Sequence, residues 1–152
     1  RLGVIHVVLL SHAHWDHINP VPFCGPRYVR GNQIEIHGPY QGDLTIERAI
    51  SAQMESVYFP VTIREFGARL VCRDLREERL EFGPLRIDTM LLSHPGTCLG
   101  YRLSARGRTM CYVTDNEGRK ITDPERLAHI QAELTRVVAG DRDRPAAQEA
   151  TP

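Results

Sequence analysis

Ser11-His12-Ala13-His14-Trp15-Asp16-His17 places three of the chain's seven histidines and one carboxylate within seven consecutive positions. Val4 to Leu10, immediately before it, is short and rich in β-branched residues and reads as a buried strand, so the histidines begin where the strand ends. In an extended segment residues two apart point the same way, which lets His12 and His14 offer their imidazoles to one point in space. Asp16 and His17 lie just beyond, where a turning chain aims them at a second point about 3.5–4 Å away, the separation usual in two-metal hydrolytic sites. Imidazole and carboxylate without thiolate favour zinc, and manganese and iron use such ligands too. The alternative is a solvated histidine-rich loop. Against it stands the strand, since a sheet edge is a rigid mount for metal ligands.

Downstream, Gly- and Pro-punctuated residues 20–31 read as loop, Gln33 to His37 as a short strand, and Leu44 to Val57 as a helix with apolar residues at 46, 49, 50, 54 and 57. Arg69 to Cys72 and Leu85 to Leu92 read as strands, with the charged run Arg73 to Glu81 as a solvated connection. The second of these strands delivers His94 into Pro95-Gly96. Leu99 to Ser104 and Thr109 to Thr114 form a hairpin around Ala105-Arg106-Gly107-Arg108, which returns Asp115 to the end of the sheet where His94 sits. His94 alone is readily explained by packing, and Asp115 alone by capping a turn. Together they bring a third histidine and a carboxylate able to bridge two metals. Asp123-Pro124 starts a second helix, with Leu127, Ile130, Leu134, Val137 and Val138 on one stripe ending near Gly140.

The strings Leu-Leu-Ser-His-Ala-His-Trp-Asp-His, Ser-His-Pro-Gly-Thr-Cys-Leu-Gly-Tyr-Arg and Tyr-Val-Thr-Asp, at 9–17, 93–102 and 112–115, resemble the ligand motifs of the metallo-β-lactamase superfamily in order. They are similar to its phosphodiesterase branch, which includes ribonuclease Z, phosphoribosyl cyclic phosphodiesterase and cyclic-nucleotide phosphodiesterase-like proteins. The resemblance covers roughly residues 1–140. It implies an α/β fold, the αββα sandwich of that superfamily, with His12, His14 and His94 on one metal, Asp16 and His17 on a second, and Asp115 between them. Asp16 and Asp115 would be the carboxylates of the catalytic centre. The nucleophile would be a hydroxide activated by two metals, zinc first and manganese or iron as substitutes, acting on a small-molecule or nucleic-acid phosphodiester. A glyoxalase II-like thioesterase shares the aspartate and is the enzymatic alternative; a noncatalytic metal-binding fragment or interaction module is the other. True β-lactamases of this fold generally carry cysteine where Asp115 stands.

The resemblance also implies what is missing. Strands expected before the first motif, and a last histidine for the second metal, have no counterpart, because His129 falls on the second helix away from its apolar stripe. The expectation is therefore a sandwich incomplete at both ends, a second metal site short of a ligand, weak or absent turnover, and self-association through uncovered sheet.

Composition bounds the rest. At 152 residues one domain is expected, spanning 1–140 with a disordered tail at 141–152 that holds no large apolar side chain. Lys+Arg 19 against Asp+Glu 19 leaves no global field to gather nucleic acid or anionic membrane, so an anionic substrate must be held locally. Arg27, Arg30 and Arg102 are candidates for that contact, although a solvated role is the default among so many arginines. No apolar run approaches the roughly 20 residues that span a bilayer. Four cysteines without a CxxC pair favour a reducing, cytoplasmic location. Cys98 and Cys111 are expected to be buried in the hairpin, Trp15 to anchor packing, and Ser11 and Ser93 to support the adjacent histidines rather than act as nucleophiles.

Overall fold

Two sheets carry the chain in the computed structural model, which describes residues 3–117 and, beyond them, only the helical positions Ala128 and Ala132. The helix expected from Asp123 to Gly140 and the tail at 141–152 otherwise lie outside the described residues.

The first sheet is parallel, in the order β1 (Ile5–Leu9), β2 (Gln33–Pro39) and β3 (Arg69–Leu75). Val7 pairs with Glu35, and Glu35 with Val71. Alternation divides each strand between two environments. Even-numbered residues, among them Leu10, Ile34 and Ile36, form one core with helix α2 (Ile46–Gln53), which packs Ile46 and Ile50 on that face. The helix is shorter than its periodicity suggests. Thr45 caps its start by accepting from the Arg48 amide at 3.3 Å, and Met54 closes it, leaving Val57 84% exposed in the following turn. Gly38 permits the close approach, since a Cβ there would lie 3.1 Å from both Ile46 and Leu10.

The second sheet is antiparallel, in the order β4 (Arg79–Phe82), β5 (Leu85–Leu91), β6 (Leu99–Ala105) and β7 (Arg108–Tyr112). The run Arg73 to Glu81 is thus not merely a connection: it ends β3 and begins β4. Its charges alternate with Leu75 and Leu80, both buried, and pair across the solvent face, Arg73 with Glu78 at 2.6 Å and Arg79 with Asp88 at 2.7 Å. The expected hairpin forms, turning on Arg106 and Gly107 with φ of 49° and 71°, the two positive values that a two-residue primed turn needs.

The sheets meet through the second core, Leu75, Leu80, Ile87, Leu99 and Tyr101, with Leu9 packed against it. Two hydrogen bonds seat β6 on the end of β1: Tyr101 Oη donates to the Leu10 carbonyl at 2.6 Å and the Leu99 amide to the Ser11 carbonyl at 2.8 Å. Helix, sheet and sheet are stacked as part of an αββα sandwich. On the edge strands, inward-alternating residues are left uncovered among the described residues: Ile5 is 60% exposed and Met110 60%.

Candidate metal centre

The chain stays extended through His14, whose φ and ψ of −62° and 146° place it at the N-cap of the single-turn helix α1 (Trp15–Ile18). The turning part of the motif is therefore helical. That turn brings His17 back beside His12, with ring centroids 4.2 Å apart, and leaves Trp15 70% exposed instead of anchoring packing.

His94 arrives from the other sheet in the loop after β5. Gln41 clamps that loop, donating to the Thr97 carbonyl and accepting from its amide at 3.0 Å, while Gly96 turns the chain at φ 80°. Residues beyond β7 close the arrangement: the Glu117 amide donates to the Ser93 carbonyl at 2.8 Å, and Asp115 takes a left-handed φ of 47°. A non-glycine residue held there marks a backbone fixed by its surroundings.

Two groups of ligand atoms result, each lying within 4.8 Å of one another: His12, His14 and His94, and His12, His17 and Asp115. His94 Nε2 stands 3.1 Å from His14 Nδ1. Asp115 Oδ2 stands 2.7 Å from His17 Nε2 and 3.9 Å from His12 Nε2. Asp16 falls outside both groups; it is 78% exposed, with Oδ2 3.4 Å from His17 Nε2.

His12 tests whether a cation suits this cluster. It is buried, Ser11 Oγ lies 3.1 Å from its Nδ1, and its Nε2 has no hydrogen-bond partner. A buried nitrogen left unpaired costs about 1–3 kcal/mol unless something fills its lone pair. Burial, followed by His17, His14 and His94, lowers the His12 pKa to about 4 against a smaller opposing pull from Asp115. The ring is thus neutral near pH 7, the form that ligates a metal. The donor set fits a divalent cation.

Sequence reasoning missed two neighbours. Glu117 Oε1 lies 3.5 Å from His94 Nδ1, and Cys98 Sγ lies 3.7 Å from His12 Nδ1. Burial, reinforced by Asp115, raises the Cys98 thiol to about 11 and keeps it protonated. Cys98 is buried as expected; Cys111 is exposed on β7. Arg27 is removed from consideration for substrate, because it is buried over the Tyr28 and Phe66 rings at 4.1 and 4.8 Å and donates to the Val21 carbonyl.

A β-lactamase superfamily domain profile matches residues 1–141. The chain belongs to the metallo-β-lactamase superfamily. It is 26% identical over 148 residues to ribonuclease Z of Halalkalibacterium halodurans, covering 93% of this chain and 45% of that protein. Within the superfamily the fold resembles that of YhfI from Bacillus subtilis (TM-score 0.53, 23% identity, 75% of this chain and 42% of that one). It also resembles the short form of human tRNase Z (0.50, 19%, 75% and 50%) and unliganded yeast PDE1 (0.57, 16%, 85% and 39%). These relatives accord with the phosphodiesterase branch. The chain spans less than half the length of the ribonuclease Z it matches.

Proposed function

We propose that this protein is a metal-dependent hydrolase acting on phosphodiesters. The observation carrying that reading is the pair of ligand groups that share the buried, neutral His12. In this reading His12, His14 and His94 hold one cation, and His17 and Asp115 hold a second, with exposed Asp16 a further carboxylate at its mouth. Zinc suits these donors, and manganese or iron can substitute. A bound divalent cation lowers the pKa of water toward about 7 and offsets charge gathering on phosphoryl oxygens. Ser11 Oγ, 3.1 Å from His12 Nδ1, holds the His12 ring, and Asp115 contributes the anionic charge that keeps cations close. The 26% identity to a ribonuclease Z supports a phosphodiester over a thioester. The proposed setting is the reducing cytoplasm, resting on four free cysteines, and fractionation of the source cells checks it.

The test is turnover of bis(p-nitrophenyl) phosphate, and of an acyl thioester, by zinc- and manganese-loaded protein with and without chelator. Chelator-sensitive phosphodiester cleavage is expected. Thioester cleavage alone would move the reading to a thioesterase, and metal uptake without turnover of either to a noncatalytic metal-binding module.

A further inference from the structure

Apart from histidine, Arg27 is the only charged side chain that is buried among the described residues. Its guanidinium lies against the Tyr28 and Phe66 rings, and Nη1 donates to the Val21 carbonyl at 3.1 Å. Nε is buried with no hydrogen-bond partner, and no carboxylate pairs with the group among the described residues. Arginine stays protonated inside proteins, and buried charges are ordinarily paired, because an uncompensated one is strongly destabilising. Aromatic faces offset part of that cost but supply no counter-charge. Arg27 thus retains one positive charge and one N–H donor to offer.

Beside it lies a cavity of about 280 Å³. Val8, Leu10, Ile34 and Ile36 line it from the face of the first sheet that bears the first core, opposite the face that meets the second sheet. Arg27, Cys24 and His17 are the polar side chains in its wall, and Arg27 is the permanent cation among them. An apolar cavity of about 150 Å³ already holds a benzene molecule, so this one has room for a ring of that size with a carboxylate attached. Charge complementarity calls for a single negative charge, and the walls call for an apolar remainder. A phosphate would bring a second charge and further oxygens against aliphatic side chains.

We propose that this cavity binds a small monocarboxylate with an apolar body, its carboxylate on Arg27. The site lies on the core side of the first sheet and stands independently of the phosphodiester reading.

Benzoate is the probe. Calorimetric titration of the zinc-loaded chain with benzoate, acetate and benzyl alcohol, in wild type, Arg27→Met, Arg27→Lys and Val8→Phe, separates the charge from the cavity, and far-UV circular dichroism verifies folding. Val8→Phe fills the cavity and leaves the guanidinium in place, which keeps a readout should Arg27→Met fail to fold. Benzoate binding should weaken at least tenfold in Arg27→Met and in Val8→Phe and less in Arg27→Lys, with acetate and benzyl alcohol each weaker than benzoate on wild type. Methyl NMR should show benzoate shifting the Val8, Ile34 and Ile36 signals. No benzoate binding by wild type, or Val8→Phe affinity within twofold of wild type, would overturn the proposal. Acetate binding as tightly as benzoate would place the carboxylate on zinc, and benzyl alcohol binding as tightly would leave an apolar cavity without an anion site; either would also overturn it.

Discussion

His17 Nε2 and Asp115 Oδ2 lie 2.7 Å apart, although one stands on the single-turn helix after β1 and the other beyond β7. Nothing local joins them; the hairpin β6–β7 carries Asp115 back across the sheet end. The contact makes Asp115 the test of the second cation. Asp115→Asn keeps the size and much of the hydrogen bonding but removes the charge, so metal affinity should fall at least 10–100-fold, the loss usual for even indirect supports of a metal. Chelator-competition titrations measure it. Unchanged affinity would leave Asp115 as a turn cap.

The three-histidine group should bind the tighter metal, because three imidazoles converge there. His14→Ala is expected to abolish high-affinity zinc uptake at limiting metal, read by mass spectrometry under native conditions. Retained uptake would show that His14 is dispensable.

Metal-free protein should lose stability in acid. His12 is lowered to about 4 when folded, chiefly by burial, against a usual value of 6.5. Between those values the unfolded chain binds the proton and the folded chain does not, so stability present above pH 6.5 is lost as pH falls toward 4. Urea melts in chelator at several pH values across that window should show the decline, and His12→Gln should make it shallower. A flat profile in wild type would contradict the burial argument.

Gly96→Ala should loosen the His94 loop. The residue has φ of 80°, and a Cβ there would fall 2.6 Å from Gln41 Oε1, displacing the side chain that clamps Thr97. A loss of about 1–3 kcal/mol is expected from the backbone alone, with weaker zinc binding alongside it. Thermal melts with and without zinc check both effects, and a variant matching wild type in each would show that the clamp is unimportant.

Uncovered sheet should make the protein self-associate. Ile5 and Val7 on β1, 60% and 40% exposed, and Met110 and Tyr112 on β7, 60% and 47% exposed, offer apolar surface on strands with unpaired edges among the described residues. Light scattering should show mass rising with concentration, and Val7→Lys should reduce the rise. A monomer at all concentrations would refute this.

The β-branched composition of Val4 to Leu10, two histidines spaced for one face of an extended chain, and a glycine-containing hairpin were enough to place β1, β6 and β7 and bring His94 and Asp115 toward the first motif. These are consequences of backbone period and turn geometry, which act over a few residues. Other features depend on what lies opposite in space. β4 emerges from a charged run because Leu80 finds the second core, and Arg27 is buried because three aromatic rings surround it. Trp15 is exposed because the turn that brings His17 inward directs its neighbour out. His12, rather than Asp16, joins His17 and Asp115 because the α1 turn and the β6–β7 hairpin bring both back to it, and Arg76 meets Tyr40 because parallel strands align their ends at one edge. Sequence determined which donors this protein has and the strands that bear them; tertiary structure decided which atoms meet, since that depends on packing between segments far apart in the chain.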